Sequence, residues 1–191
     1  MTWIKVCGIT SPSDADAAVA AGVSAIGLVF ARSPRRVSLD AARRIADRVR
    51  GRVEIVGVFK EPEDMASAHE AIRFDRVQLH NLASPDIDVP VLRALAPEAL
   101  GTYEPIEGET LVIDGSEGQG VSPDWMRLRT HPMARLVVAG GLTPKTVGAV
   151  VEGLRPYGVD VSSGVELAPG HKDSVLMARF VAAVRSADAC R

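Results

Sequence analysis

The chain has 191 residues, of which 47% are hydrophobic and 24% charged, and its formal net charge is -2. This is the composition of one globular domain over residues 1–191, and it excludes a charged tail protein, a collagen-like chain and a low-complexity chain. With no basic block there is no electrostatic footprint for nucleic acid, and the longest apolar stretch, Ala25 to Ala31, is too short to span a bilayer.

In chain order, Ile4 to Cys7 reads as a strand, followed by a helix capped by Ser13 or Asp14, running to Ala21 and stopped by Gly22. Ala25 to Phe30 hardly alternates, as a strand buried on both faces would not. Ser38 opens a helix through Val49, with Leu39, Ala42, Ile45, Ala46 and Val49 on one side and a solvated face carrying Arg43, Arg44, Asp47, Arg48 and Arg50 on the other. Val53 to Phe59 is a third strand, and Pro62 suits the first turn of a helix reaching Ile72. Arg76 to His80 is a fourth strand, with a short helix predicted over Val91 to Leu95 behind Pro90. A weaker fifth strand is expected over Ala99 to Tyr103, after which Glu104 to Glu109 is too short for a helix. Leu111 to Asp114 is the sixth strand, with a short helix around Asp124 to Leu128. Leu136 to Ala139 then pairs with a helix over Lys145 to Leu154, and Gly158 to Val161 with a closing helix over Val175 to Val184.

Eight strands alternating with about seven helices imply parallel pairing and right-handed crossovers. An open doubly wound sheet and a closed barrel both satisfy this order. The count of eight favours an α/β (βα)8 TIM barrel, compact, with the fifth helix missing or reduced to a loop. No Gly-x-Gly-x-x-Gly follows the first strand, which argues against a dinucleotide-binding sheet.

In such a barrel the chemistry lies at the carboxyl ends of the strands. Here those ends carry Cys7, Arg35, His80, Asp114, Gly140-Gly141 and the run Asp160 to Gly164. Gly140-Gly141 and Ser162-Ser163-Gly164 follow strands seven and eight, where backbone N–H groups commonly hold phosphate. Cys7 is either a small buried hydrophobe or a base; as a base it needs thiolate character, which Lys5 on the same strand face would favour. Lys5 is equally readable as a structural cation paired with an inward acid. Asp114 either hydrogen-bonds its turn or donates a proton, a role that calls for burial under a closing loop. Arg35 is either a surface charge or a bidentate clamp for a substrate carboxylate, and His80 shares a strand face with Gln78. Two cysteines and four histidines scattered along the chain show no metal spacing. Cys190 lies in the tail without a role.

Together, Lys5-Val6-Cys7-Gly8-Ile9-Thr10, Ser33-Pro34-Arg35, Val77-Gln78-Leu79-His80 and Ala139-Gly140-Gly141-Leu142-Thr143-Pro144 resemble the phosphoribosylanthranilate isomerases. The strongest match is Val159-Asp160-Val161-Ser162-Ser163-Gly164-Val165-Glu166, continued by Pro169-Gly170-His171-Lys172-Asp173. The resemblance implies a cofactor-free (βα)8 enzyme of tryptophan biosynthesis. Its reaction is the Amadori aldose–ketose rearrangement of N-(5-phosphoribosyl)anthranilate to 1-(2-carboxyphenylamino)-1-deoxyribulose 5-phosphate. By the same resemblance Cys7 is the general base, Asp114 the general acid and Arg35 the holder of the anthranilate carboxylate. The turns with Gly140, Gly141, Ser162, Ser163 and Gly164 would hold the phosphate, and Asp160 and His80 would line the pocket.

Two positions and one loop depart from the family pattern: Asn81 replaces a glycine, Pro123 replaces an aromatic, and the loop carrying Gly118-Gln119-Gly120 is short. The related isomerase of histidine biosynthesis is the competing enzyme, but it uses aspartates at both strand one and strand six, where this chain has Cys7 first. A barrel that binds a phosphorylated metabolite without turnover is the competing class. The expected partner is a small phosphorylated substrate, with neither nucleic acid nor membrane. The chain begins without a charged-then-apolar leader, which gives a cytoplasmic expectation. A monomer or weak homodimer is expected.

Overall fold

The computed structural model describes residues 1–60, 63–80, 87–104, 109–115 and 135–190. Eight parallel strands close into a barrel in chain order: β1 (Trp3–Cys7), β2 (Ala25–Val29), β3 (Glu54–Phe59), β4 (Arg76–His80), β5 (Val91–Leu95), β6 (Thr110–Asp114), β7 (Leu136–Ala139) and β8 (Gly158–Val161). Closure joins β8 back to β1, with Ile4 opposite Val159 and Lys5 opposite Asp160. The (βα)8 expectation therefore holds. Outside the strands lie α1 (Pro12–Ala21), α2 (Leu39–Val49), α3 (Glu63–Ile72), α4 (Val147–Leu154) and α5 (Ser174–Ala189).

Period-two alternation places every strand residue on one of two surfaces. Ile4, Val6, Ile26, Leu28, Leu111, Ile113 and Val159 point outward into an apolar layer shared with Ala42, Ile45 and Phe180 of the helices. Ala25, Val29, Val56, Val58, Leu92, Ala94, Val112, Val137 and Ala139 fill the interior, with Trp3 and Cys7 packed against them. Because Cys7 and Asp114 are the last residues of β1 and β6 and share the inward parity, both side chains emerge at the carboxyl end of the barrel. The interior also contains the ion pair of Lys5 with Asp160, 2.5 Å apart and almost fully buried.

Helix boundaries follow local chemistry. Ser11, rather than Ser13 or Asp14, caps α1 by accepting from the Asp14 N–H, and Pro12 occupies the first helical position. Ser38 caps α2 as its position predicted. The closing helix runs past Val184 because its last turn binds the start of the chain. Asp188 accepts from the Thr2 N–H at 2.8 Å and from its hydroxyl at 2.7 Å, and Arg185 donates to the Thr2 carbonyl at 2.8 Å.

One stretch of the predicted order is corrected. Val91–Leu95 is a strand, not a helix: it pairs with β4 through Val77 opposite Val91 and with β6 through Leu92 opposite Thr110. The segment expected as the fifth strand is a 3-10 turn over Pro97–Gly101. The described part of the β4–β5 connection, 87–90, contains no helix, and among the described residues between β5 and β6 the helical structure is that single 3-10 turn. The outer face of β5 has an unusual cover in consequence. Arg93 points outward yet is buried, paired with Glu109 at 3.0 Å, while the Tyr103 hydroxyl donates to the other Glu109 oxygen at 2.7 Å. A short two-stranded hairpin, β9 (Glu166–Ala168) with β10 (His171–Lys172), follows β8 and had no counterpart in the sequence reading. Pro62, Asn81, Gly118 to Gly120, Pro123 and the helix expected over Asp124 to Leu128 lie outside the described residues.

Candidate active site

A cavity of about 460 Å³ opens at the carboxyl ends of the strands. Cys7, Arg35, His80, Asp114, Gly140, Gly141, Asp160, Ser162 and Ser163 all line it. Gly164 does not: it packs behind the wall against the Leu142 carbonyl, which leaves no room for a Cβ. Cys7 and Asp114 stand across the mouth from one another, separated by β7 and β8 on one side and β2 to β5 on the other.

Cys7 is surrounded by charge. A side chain at Gly27 on the neighbouring strand would meet both the Cys7 sulfur and the Lys5 stem, so the missing Cβ makes space for thiol and lysine together. Burial pushes the Cys7 thiol above its ordinary range; the ammonium of Lys5 opposes that rise, Asp160 adds to it and Lys172 again opposes it. Lys5 is thus the structural cation paired with an inward acid, and its pull on the thiol does not overcome burial. Burial works against its ammonium, but Asp160 and then Cys7 outweigh it, and Lys5 stays cationic. The other Asp160 oxygen, Oδ1, is buried with no hydrogen-bond partner among the described residues, and so is Oε1 of Gln78. Both residues line the cavity, and buried acceptors of this kind call for a donor.

On the opposite wall the His80 imidazole is held neutral. Burial, then the positive charge of Lys60, pushes its pKa down to about 4 against the pull of Asp114. The neutral ring accepts at Nε2 from the Gln78 amide, 3.1 Å away, which places the ring proton at Nδ1. Asp114 is half-buried.

The turns after β7 and β8 line the cavity side by side. Gly140 and Gly141 are consecutive left-handed residues, φ 85° and 64°, a conformation that costs any other residue strain. Their position after β7, facing Ser162 and Ser163 after β8, is where backbone N–H groups converge on phosphate in this architecture. The Ser162 hydroxyl is already committed, donating to the Cys7 carbonyl at 3.1 Å and accepting from Lys172 at 3.4 Å. What Ser162 can offer an anion is its main-chain N–H.

Arg35 lies at the rim between these features. Its Nε and Nη2 donate to the two oxygens of Glu166 at 2.9 and 2.7 Å, and Nη1 has no partner among the described residues. Part of the clamp expected for substrate is thus occupied from within the protein.

A family model described as N-(5'-phosphoribosyl)anthranilate (PRA) isomerase matches residues 4–183. The chain belongs to that family. Among curated phosphoribosylanthranilate isomerases, the one from Rubrobacter xylanophilus is 39% identical, covering 97% of this chain and 100% of the relative. The solved isomerase from Thermotoga maritima superposes with a TM-score of 0.85 at 31% identity, covering 97% of this chain and 100% of that one. A further isomerase structure, TM-score 0.83 at 31% identity with the same coverage, holds reduced 1-(o-carboxyphenylamino)-1-deoxyribulose 5-phosphate.

The sequence reading assigned nothing to Lys60, which lines the cavity of this isomerase-family chain. Its parity with Val56 and Val58 on β3 was the available signal. Lys172 was also passed over. Its ammonium is fully buried, donating to Glu166 at 2.7 Å and to the Ser162 carbonyl at 3.2 Å. Only the spacing of the β9–β10 hairpin, which short strands do not advertise, brings it there.

Proposed function

We propose that the chain catalyses the Amadori rearrangement of N-(5-phosphoribosyl)anthranilate in tryptophan biosynthesis, with Cys7 as general base and Asp114 as general acid. The observation that carries this reading is that both groups line one cavity together with the turns after β7 and β8. Asp114 gives a proton to the ring oxygen as the C1′–O bond breaks and the anthranilate nitrogen becomes a protonated Schiff base. The Cys7 thiolate takes the proton from C2′, and the electron pair neutralises the iminium to give an enolamine. Protonation at C1′ with loss of the enol proton gives the ketone. C2′ is oxidised and C1′ reduced within one molecule, so the balance requires no external electron carrier.

Gly140, Gly141, Ser162 and Ser163 anchor the phosphate, with Gly164 shaping the turn behind them. Asp160 Oδ1 and Gln78 Oε1 are the acceptors for substrate hydroxyls, and neutral His80 packs the wall beside them. Anchors at both ends fix the reacting carbons between acid and base, and orientation of this kind adds its own large term. A monomer or weak homodimer acting in the cytoplasm is the proposed state. No described helix is long and apolar enough to cross a membrane.

Purified protein given phosphoribosylanthranilate, without added metal or nucleotide, is expected to consume it, followed as loss of anthranilate fluorescence. A folded protein that does not turn it over returns the chain to the binding class. Arg35→Ala is expected to raise KM by about 10- to 100-fold, the range for losing charge-assisted hydrogen bonds, with a much smaller effect on kcat. Steady-state kinetics that leave KM unchanged would place Arg35 outside substrate binding.

A further inference from the structure

Glu166 is a buried acid that the acid–base mechanism does not use. Its side chain is 4% exposed and it does not line the cavity, yet four donors converge on it. Oε1 accepts from Arg35 Nε at 2.9 Å, Lys172 Nζ at 2.7 Å and the Gly170 N–H at 3.3 Å, and Oε2 accepts from Arg35 Nη2 at 2.7 Å. Burial alone would raise its carboxyl, but the hydrogen bonds from Arg35 and Lys172 hold it below the ordinary range, so it remains ionised.

The hairpin that carries Glu166 is tied down on the segments that follow β1 and β2. The Thr10 hydroxyl donates to the Gly170 carbonyl at 2.5 Å, and a Cβ at Gly170 would come within 3.2 Å of the Pro34 carbonyl. Arg35 is confined from its other side as well. Its stem lies flat on Gly8, where a Cβ would come within 2.6 Å of Arg35 Cδ, so the arginine crosses directly over the residue after Cys7. Lys172 extends the chain to Ser162, whose hydroxyl donates to the carbonyl of Cys7 itself.

We infer that Glu166 is a positioning residue: through the β9–β10 hairpin it locks the Arg35 guanidinium at the rim, so that the edge left to the cavity holds the substrate's carboxylate in register with Cys7. Glu166 touches no substrate atom and acts through Arg35. An arginine released from this fork would sample many rotamers, and the carboxylate end of the substrate would be held loosely. Displacement of about 1 Å at an anchor remote from the reacting bonds can cost about a hundredfold in rate. The inference rests on the reading of Arg35 as the carboxylate clamp.

The test compares two substrates, phosphoribosylanthranilate and the phosphoribosylaniline that lacks its carboxylate, through the ratio of their kcat/KM values. Glu166→Gln, which removes the charge at nearly constant shape, is expected to lower this ratio about tenfold. Arg35→Ala should lower it at least as far, and the double variant no further than Arg35→Ala alone, because the two act in series. A purely structural role would slow both substrates equally and leave the ratio where it was. Glu166→Asp keeps the charge but shortens the reach, and is expected to lower the ratio less than Glu166→Gln. It carries the same comparison should the glutamine variant fail to fold. An unchanged ratio in the Glu166 variants beside a collapsed one in Arg35→Ala would overturn the positioning role alone. An unchanged ratio in Arg35→Ala would remove the clamp and this inference with it.

Discussion

Cys7→Ala is expected to lower kcat/KM for phosphoribosylanthranilate by at least about a hundredfold, within the range for loss of one positioned base, while the barrel stays folded. The variant removes one sulfur atom from a half-buried strand end and leaves the Lys5–Asp160 pair beside it intact. The pH profile supplies a second reading of the same residue. A base must be deprotonated to act, so the rate rises with pH through the thiol's own titration. Burial, with the Asp160 carboxylate, raises that titration more than Lys5 and Lys172 lower it, which places the limb in free-enzyme kcat/KM above the ordinary thiol value of about 8.5. Activity should therefore still be climbing between neutral and mildly alkaline pH. His80 adds no limb there, since it titrates at about 4. A profile flat from pH 6 upward would mean that the two lysines prevail over burial. Residual activity in Cys7→Ala should lack the alkaline limb, and near-wild-type turnover in that variant would end the assignment.

The parts of this molecule that could be read in its sequence are those where a local rule and a tertiary rule coincide. Strands four and seven were placed to the residue because Arg76 to His80 alternates polar with apolar residues and Leu136 to Ala139 is a short apolar run, each paired with neighbours on both sides. Val91 to Leu95 satisfied a helical pattern equally well, and Pro90 looked like a helix start. Only pairing with β4 on one side and β6 on the other decides it, and pairing is a non-local property. The same limit applies to the site. Parity along a strand sufficed for Cys7, His80 and Asp114, each the last residue of an inward-facing series. It did not suffice for Arg35, whose fork is filled by Glu166 from the far end of the chain. Nor could it show that the Ser162 hydroxyl is engaged by Cys7 and Lys172. Charge pairing across the barrel mouth, unlike strand parity, leaves no periodic trace in the sequence.

Asp114→Asn provides the complementary experiment because it preserves shape and removes the transferable proton. The expected result is a loss of at least about a hundredfold in kcat, with little change in affinity for the reduced product analogue. That separation follows from position. Asp114 lies at the end of β6, whereas the phosphate anchors sit after β7 and β8 and the carboxylate clamp after β2. A ligand held by its two ends keeps both anchors in the variant, and an interaction made only in the transition state appears in kcat rather than in binding. Ring opening precedes deprotonation, so loss of the acid should make the first step limiting. The alkaline limb set by Cys7 should then flatten in kcat while the thiol itself remains in place. Binding that weakens as much as turnover would instead make Asp114 a substrate ligand, and full activity would leave the ring oxygen to be protonated by another group on the cavity wall.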